Sequence, residues 1–236
     1  MIRAFYTATA GANTNQTYLD VISNNLANLQ TEGYKSLKAE FSDLLYTNLS
    51  QTGETIMVGS GSKVYKTDTL FTEGAFIQTD KMTDYVIEGD GFFAIQKEDE
   101  IFFTRTGAFT TVNIDGENYL MLDSGYVLNS NEEPIILNQD IQDMNEDIDI
   151  NPGVYKFVNN FDLERVGNNL FRIANENAEY EIAESPSLRR GYVEGSNVVL
   201  LQELTNMIQA QRAFQFNSRI IQVADEIEQT INSLKN

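Results

Sequence analysis

The stretch RAFYTATAGANTNQTYLDVISNNLANL, residues 3–29, decides the fold. Within it Phe5, Ala8, Ala12, Asn15, Leu19, Ile22, Leu26 and Leu29 recur at alternating steps of three and four, and seven of the eight are apolar. That spacing lays one narrow stripe along a helix, like the seam of a coiled coil rather than the broader buried face of a globular helix. It predicts a helix from about Ile2 to Leu29, roughly 40 Å long at 1.5 Å per residue. The end is expected near Thr31-Glu32-Gly33, with Gly33 in the left-handed cap that a β-branched residue could not take.

The other end of the chain repeats the rhythm. Ala213, Asn217, Ile220, Ala224, Ile227, Ile231 and Leu234 form one seam, and Leu200, Leu204, Met207, Gln211 and Phe214 form a second, offset one. A helix is predicted from Asn197–Leu200 to about Leu234, with Ser196 or Asn197 as its N-cap and Glu203 complementing the helix dipole. Chain ends are usually the least ordered part of a domain. A chain whose most regular helical patterning lies there is read as assembling through its ends.

Between the helices the period changes to two. A short amphipathic piece, Phe41 to Leu49, is followed by a Gly/Ser-rich loop over Gln51 to Ser62. From about Lys63 to Tyr192 come short β-prone runs: Val64-Tyr65, Phe71, Phe76-Ile77, Tyr85–Ile87, Phe92–Ile95, Ile101–Thr104, Tyr119–Leu122, Tyr126–Leu128, Ile135–Leu137, Val154–Val158, Leu170–Ala174 and Tyr180–Ile182. Turn dipeptides separate them at Glu73-Gly74, Asp90-Gly91, Thr106-Gly107, Asp115-Gly116 and Ser124-Gly125. The fold class expected is α+β: long N- and C-terminal helices forming one discontinuous, coiled-coil-like domain (1–35 and 192–236), a connecting segment (36–62) and an inserted, irregular antiparallel β-domain (63–191).

Composition narrows the function. Sixteen basic against 35 acidic residues give a net charge of −19, which argues against nucleic-acid and anionic-membrane partners. There is no apolar run long enough for a membrane span, and the first residues lack the continuous apolar core of a cleaved secretory signal. Cys, His and Trp are absent altogether. Disulfides, thiolate nucleophiles and Cys-ligated zinc are thereby excluded, and so is the commonest general base. No cofactor or metal is expected, and an enzyme is disfavoured.

The local motifs agree. Gly89-Asp90-Gly91-Phe92-Phe93-Ala94 fits a dinucleotide fingerprint, but a strand rather than a helix follows it, so it reads as a hairpin turn. Ser60-Gly61-Ser62-Lys63 has the spacing of acyl-transferring serine enzymes without their companion motifs, and reads as a flexible loop. Asp140, Asp143, Glu146, Asp147 and Asp149 lack the central Gly and terminal Glu of a calcium loop and read as solvated acidic surface. A carboxylate-based cell-wall hydrolase survives only as a remote alternative, because no carboxylate pair stands out.

Two segments are polar where helices need a reason to be so. Ser23-Asn24-Asn25-Leu26-Ala27-Asn28-Leu29-Gln30-Thr31-Glu32-Gly33-Tyr34-Lys35 sets three Asn in or just after a helix, although Asn competes for backbone groups there. A frayed last turn would explain it, and so would hydrogen bonding across a helix interface. The second segment is Gly191-Tyr192-Val193-Glu194-Gly195-Ser196-Asn197-Val198, leading into Met207-Ile208 and Gln211-Arg212-Ala213-Phe214. Together with Gly89–Phe93 and Thr104-Arg105-Thr106-Gly107-Ala108-Phe109, these segments resemble the bacterial flagellar rod and hook family of axial proteins. Met1-Ile2-Arg3 and Phe41-Ser42-Asp43-Leu44-Leu45-Tyr46 are most similar to its distal-rod branch; a proximal rod subunit and, less so, a hook-type protein are the alternatives.

The resemblance implies a non-catalytic subunit that polymerises helically into a hollow shaft transmitting torque from motor to hook. It implies partners of several kinds: further copies of the chain, other rod subunits, the hook protein, the type III export apparatus and ring proteins, with no nucleic acid and no membrane insertion. It places the chain in the flagellar basal body, exported without a cleaved signal. The assembly interface is then expected at Phe5, Leu19, Ile22, Asn24, Asn25, Leu26, Asn28, Leu29 and Gly33. From the second end it draws Glu194, Ser196, Asn197, Met207, Gln211, Arg212, Phe214, Asn217, Ile220 and Ile227.

Overall fold

A computed structural model describes residues 2–51, 54–98, 100–137, 150–175, 178–183 and 186–234. The chain divides into two units, each discontinuous in sequence. Unit 1 takes residues 1–27, 37–70 and 198–236, and unit 2 takes 28–36 and 71–197. The acidic stretch from Asp140 to Asp149 lies outside the described residues.

Unit 1 contains α1 (Ile2–Ala27), β1 (Leu37–Asp43), β2 (Thr47–Gln51), β3 (Glu54–Val58), β4 (Ser62–Thr69) and α2 (Leu200–Leu234). The helices run antiparallel. Gly11 faces Asn217, and Asn25 reaches Glu203 at the opposite end. A Cβ on Gly11 would lie 2.8 Å from the Asn217 amide, so glycine is what lets the two backbones approach there. Beside them β1 pairs with β4, and β2 with β3, so the segment from Leu37 to Thr69 forms two successive antiparallel ribbons. The base of the first packs on α1: the Thr14 hydroxyl donates to the Ser62 carbonyl, and Tyr18 meets Phe41 edge-on with centroids 5.2 Å apart.

Three expectations are corrected in this region. The first helix ends at Ala27, short of Gly33, because the Asn28 carbonyl and side-chain oxygen both accept from Thr31 and close a turn there. The piece from Phe41 to Leu49 is β-structure, since Leu37 is held at both its N–H and its C=O by the Asn25 side chain and the strand alternates from there. The supposed loop over Gln51 to Ser62 carries β3 and the start of β4, with Gly61 accepting from the Leu44 N–H and Ser60 donating to Leu45. α2 starts at Leu200, with Glu203 in its first turn.

Unit 2 is antiparallel β-structure. Its strands are β5 (Phe76–Gln78), β6 (Tyr85–Ile87), β7 (Phe92–Lys97), β8 (Glu100–Thr104), β9 (Thr110–Ile114), β10 (Glu117–Leu122), β11 (Gly125–Val127), β12 (Ile136–Leu137), β13 (Val154–Phe157), β14 (Leu163–Gly167), β15 (Leu170–Ile173), β16 (Tyr180–Ile182), β17 (Leu188–Arg190) and β18 (Tyr192–Glu194). Ten of them join one sheet, whose main path runs β12-β10-β11-β7-β8-β15-β14. Two further pairs, β17 with β6 and β18 with β5, bring the end of the β-region back onto its beginning.

Both faces of β7 are buried, so two cores share this strand. Phe93 packs with Phe109, Leu120, Val127 and Val154 on one side. Phe92 and Ala94 pack with Phe103, Tyr155 and Phe171 on the other. On that second side the rings meet largely edge-to-face, Phe103 with Phe157 at 4.8 Å and Phe71 with Phe92 at 5.4 Å, each such pair adding about 0.5–1.5 kcal/mol beyond burial.

The α+β class and the strand runs from Tyr85 to Thr104 are as the sequence indicates, and Gly89–Phe92 leads into a strand. Asp115-Gly116 turns the β9–β10 hairpin with both residues at positive φ. The next hairpin differs from expectation. Its turn is Asp123-Ser124, and Gly125 sits in β11, where a Cβ would collide with Ile95. Phe71 is not in a strand, whereas β9, β14, β17 and β18 were not anticipated.

Candidate assembly site

In unit 1 the site is built on helix faces. Ala8, Ala12 and Ile22 are buried along α1, with Asn15, Leu19 and Leu26 half-buried between them. The facing stripe on α2 is Met207, Ala210, Ala213, Phe214, Asn217 and Ala224, of which only Ala210 is fully buried. This stripe mixes small and polar residues with the half-buried Met207 and Phe214. Other large apolar side chains of α2 point elsewhere: Leu201, Ile208 and Phe216 are 77%, 52% and 64% exposed. Ile220, Ile227, Ile231 and Leu234, expected in the first seam, are exposed too, as are Leu200, Leu204 and Gln211 from the second and the expected interface residue Arg212. The ladder of three-and-four steps was legible, but its phase against α1 was not, because isoleucine and leucine occur all around this helix.

Asn25 anchors the far end of the helix pair. Its amide donates to the Leu37 carbonyl at 2.8 Å and to Glu203 at 3.0 Å, while its oxygen accepts from the Leu37 N–H at 2.9 Å. One side chain thus substitutes for a strand neighbour and crosses to α2. Burial, with the Glu203 carboxylate adding to it, raises the Tyr18 hydroxyl above its ordinary ionisation. Asn24 is exposed, and Phe5 is 38% exposed near the start of α1.

Unit 2 holds the second cluster, centred on Glu194, which is 0% exposed. Its Oε1 accepts from the Lys35 ammonium at 2.6 Å and from the Gly74 N–H at 2.7 Å. Its Oε2 accepts from Arg105 Nε at 2.9 Å, and its backbone carbonyl from the Gly33 N–H at 2.7 Å. Lys35 also donates to the Thr72 carbonyl, and Arg105 to the carbonyls of Gly89 and Gly91. Gly33 is at φ +67° with the Thr106 backbone 2.6 Å from where a Cβ would be, so only glycine fits. Its left-handed conformation was read correctly, but as a helix cap. It serves a turn held against Thr106.

Around this knot Asn197 accepts from the Ser36 N–H at 2.7 Å and donates to Thr72. Arg165 donates to the Lys35 carbonyl and stacks over Tyr34 at 4.8 Å. Asn169 and Thr106 both donate to the Glu32 carbonyl. Burial holds the Lys35 ammonium below its ordinary ionisation, against the opposing pull of Glu194. Leu29 and Asn28 are half-buried at the entry to this segment, and Ser196 is half-buried beside Glu194.

Three sequence motifs that lie far apart therefore meet at one carboxylate: Gly33-Tyr34-Lys35, Gly89–Gly91 with Arg105, and Glu194 with Asn197. Ile22, Asn25 and Glu194, expected among the interface residues, make their contacts inside their own unit. Lys35 and Arg105 stood inside the quoted motifs without a role, and their burial as a pair with Glu194 is visible only in the structure. Arg165, Thr72 and Glu203 carried no such signal. Among the described residues no cluster of acidic side chains is arranged to hold a metal ion.

Comparison with known proteins follows the same geography. Residues 5–35 match the family described as flagella basal body rod protein, 86–155 the flagellar hook protein FlgE/F/G D1 domain, and 189–234 the flagellar basal body rod FlgEFG protein C-terminal. The flagellar basal-body rod protein FlgG of Borreliella burgdorferi is 34% identical over 267 residues, spanning 100% of this chain and 99% of that protein. The chain belongs to the flagellar basal-body rod protein FlgG family. FlgG of Bacillus subtilis is likewise 34% identical over 266 residues, with 100% of each chain covered. The flagellar hook protein FlgE of Borreliella burgdorferi is 33% identical, but only over 51% of this chain and 29% of its own length. Within the FlgG family, then, the similarity runs end to end, and the hook likeness is partial. The Glu194 knot draws on residues from all three matched regions.

Proposed function

We propose that this chain is a structural subunit of the distal rod of the bacterial flagellar basal body, adding helically to further copies of itself to form a hollow shaft that carries torque from motor to hook. The observation that carries this is the unbroken similarity to FlgG rod proteins over the full chain, with the hook protein matching half of it. A proximal rod subunit or a hook-type protein would not favour that pattern. The family is one of structural proteins, so no catalytic role is assigned.

The helix faces support assembly through the ends. α2 turns Met207, Ala210, Ala213, Phe214 and Asn217 toward α1 and leaves Leu201, Ile208 and Phe216 uncovered, an arrangement suited to coiled-coil-like packing against neighbouring subunits. Contacts whose rotation does not close generate a helical polymer, as a shaft requires. In this reading residues 1–35 and 192–236 supply the axial core, 36–62 connect, and 63–191 form the outer β-domain. Export by the flagellar type III apparatus, and contact with other rod subunits, the hook protein and ring proteins, complete the proposal. No described helix is long and apolar enough to cross a membrane.

The test is genetic and biochemical. Basal bodies isolated from a strain carrying a tagged copy should contain the chain, and its deletion should leave cells without hooks. Normal hooks in the deletion strain would sink the assignment.

A further inference from the structure

The chain passes between the two units at four places: after Ala27, after Ser36, after Leu70 and after Asn197. On the unit 2 side these passages open onto three short segments, 28–36, 71–74 and 194–197. All three are bonded to one another. Glu194 takes the Gly33 N–H on its carbonyl, and Lys35 and Gly74 on its Oε1. Thr72 takes both Lys35 and Asn197 on its carbonyl, and Asn197 takes the Ser36 N–H on its side chain. Arg105 holds the other carboxylate oxygen and is itself fixed by Gly89 and Gly91, which lead into β7 at the middle of the sheet.

We propose that Glu194 is a positioning residue that gathers all four passages into a single cooperative joint, so that a pull on any one of them is shared by the others and delivered to the sheet. A bundle of independent contacts would loosen one at a time. This set cannot, because Oε1 and the Thr72 carbonyl each serve two segments at once. The joint's role in passing torque rests on the rod reading given above; its cooperativity does not.

Hydrogen exchange on the purified full chain tests the cooperativity. Lys35→Met removes a bond to Glu194 and one to Thr72 while Arg105 still neutralises the carboxylate. In that variant the amides of Gly33, Ser36, Gly74 and Asn197 should exchange at least about tenfold faster and at one common rate, with β7 and β8 accelerated less. Glu88→Gln, which removes the exposed pair with Arg189, serves as control and should move none of them. Acceleration of Gly74 alone, or of no amide, would overturn the joint. Glu194→Gln should accelerate the same four amides more strongly, and if it does not fold, Lys35→Met decides alone.

The torque role has its own arm. Cells carrying Lys35→Met should assemble flagella and swim in dilute medium but stall at lower viscosity than wild type. Equal torque at every load would overturn load sharing. Absence of the wild-type chain from basal bodies would instead refute the rod reading, and the exchange result would still decide the joint.

Discussion

At the residue scale the buried polar groups separate into those whose loss is costly and those whose loss is not. Glu194 is the shared ion-pair partner of Lys35 and Arg105, whose side chains are 1% and 3% exposed. Glu194→Gln leaves both cations without their ion-pair partner and should cost about 3–5 kcal/mol in denaturant unfolding of unit 2. Lys35→Met should cost less, since Arg105 remains. The exposed pair Arg172–Glu164 is a contrast: Glu164→Gln should change stability by no more than about 0.5 kcal/mol. In unit 1, Asn25→Ala strands the Leu37 amide and carbonyl and one bond of Glu203, and should cost roughly 2–4 kcal/mol by the same measurement.

At the element scale, β13 and β16 carry a pH dependence. Tyr155 and Tyr180 sit with ring centroids 5.9 Å apart, and burial first, with Glu132 adding to it, raises the ionisation of both hydroxyls above the ordinary 10.0. The folded chain then keeps protons that the unfolded chain releases. The contribution of these two hydroxyls to the stability of unit 2 should be fully present below pH 10 and be lost as the pH climbs above it. Tyr155→Phe should flatten that fall while sacrificing the hydrogen bond to the Asn129 carbonyl, a trade measurable by denaturant titration at pH 8 and pH 11. The turn elements are less forgiving. Gly107 lies against the Tyr85 carbonyl, so Gly107→Ala should abolish the folded signal of unit 2 by circular dichroism.

How far these elements could be read from sequence follows from what drives them. Helices with a long periodic stripe and strands bounded by Asp-Gly turns are local, and both were legible. β14 was hidden because its turn uses Asn168 and Asn169 at positive φ, a choice less distinctive than Gly. β1 was hidden because its first residue is held by Asn25, 12 positions earlier, and no local pattern records that bond. The Glu194 knot was visible only as three motifs. Their convergence is tertiary, and spacing along the chain carries no trace of it.

At the scale of the whole molecule, assembly should separate cleanly from folding. Ile208→Asp and Phe216→Asp place charge on exposed positions of α2 and should leave circular dichroism and unfolding unchanged while abolishing polymer in electron micrographs. Wild-type polymer from both would show that this face is not used.

The Lys35–Glu194 bond also sets a clock. The two residues are separated by 159 positions, and Asn25 waits for Glu203 across 178. At a synthesis rate of about 5–20 residues per second, Lys35 remains without its carboxylate for roughly 8–30 seconds after it is made. The Glu194 knot and the far end of the helix pair therefore stay open until the tail emerges, and these last bonds of both units form only when the chain is almost complete.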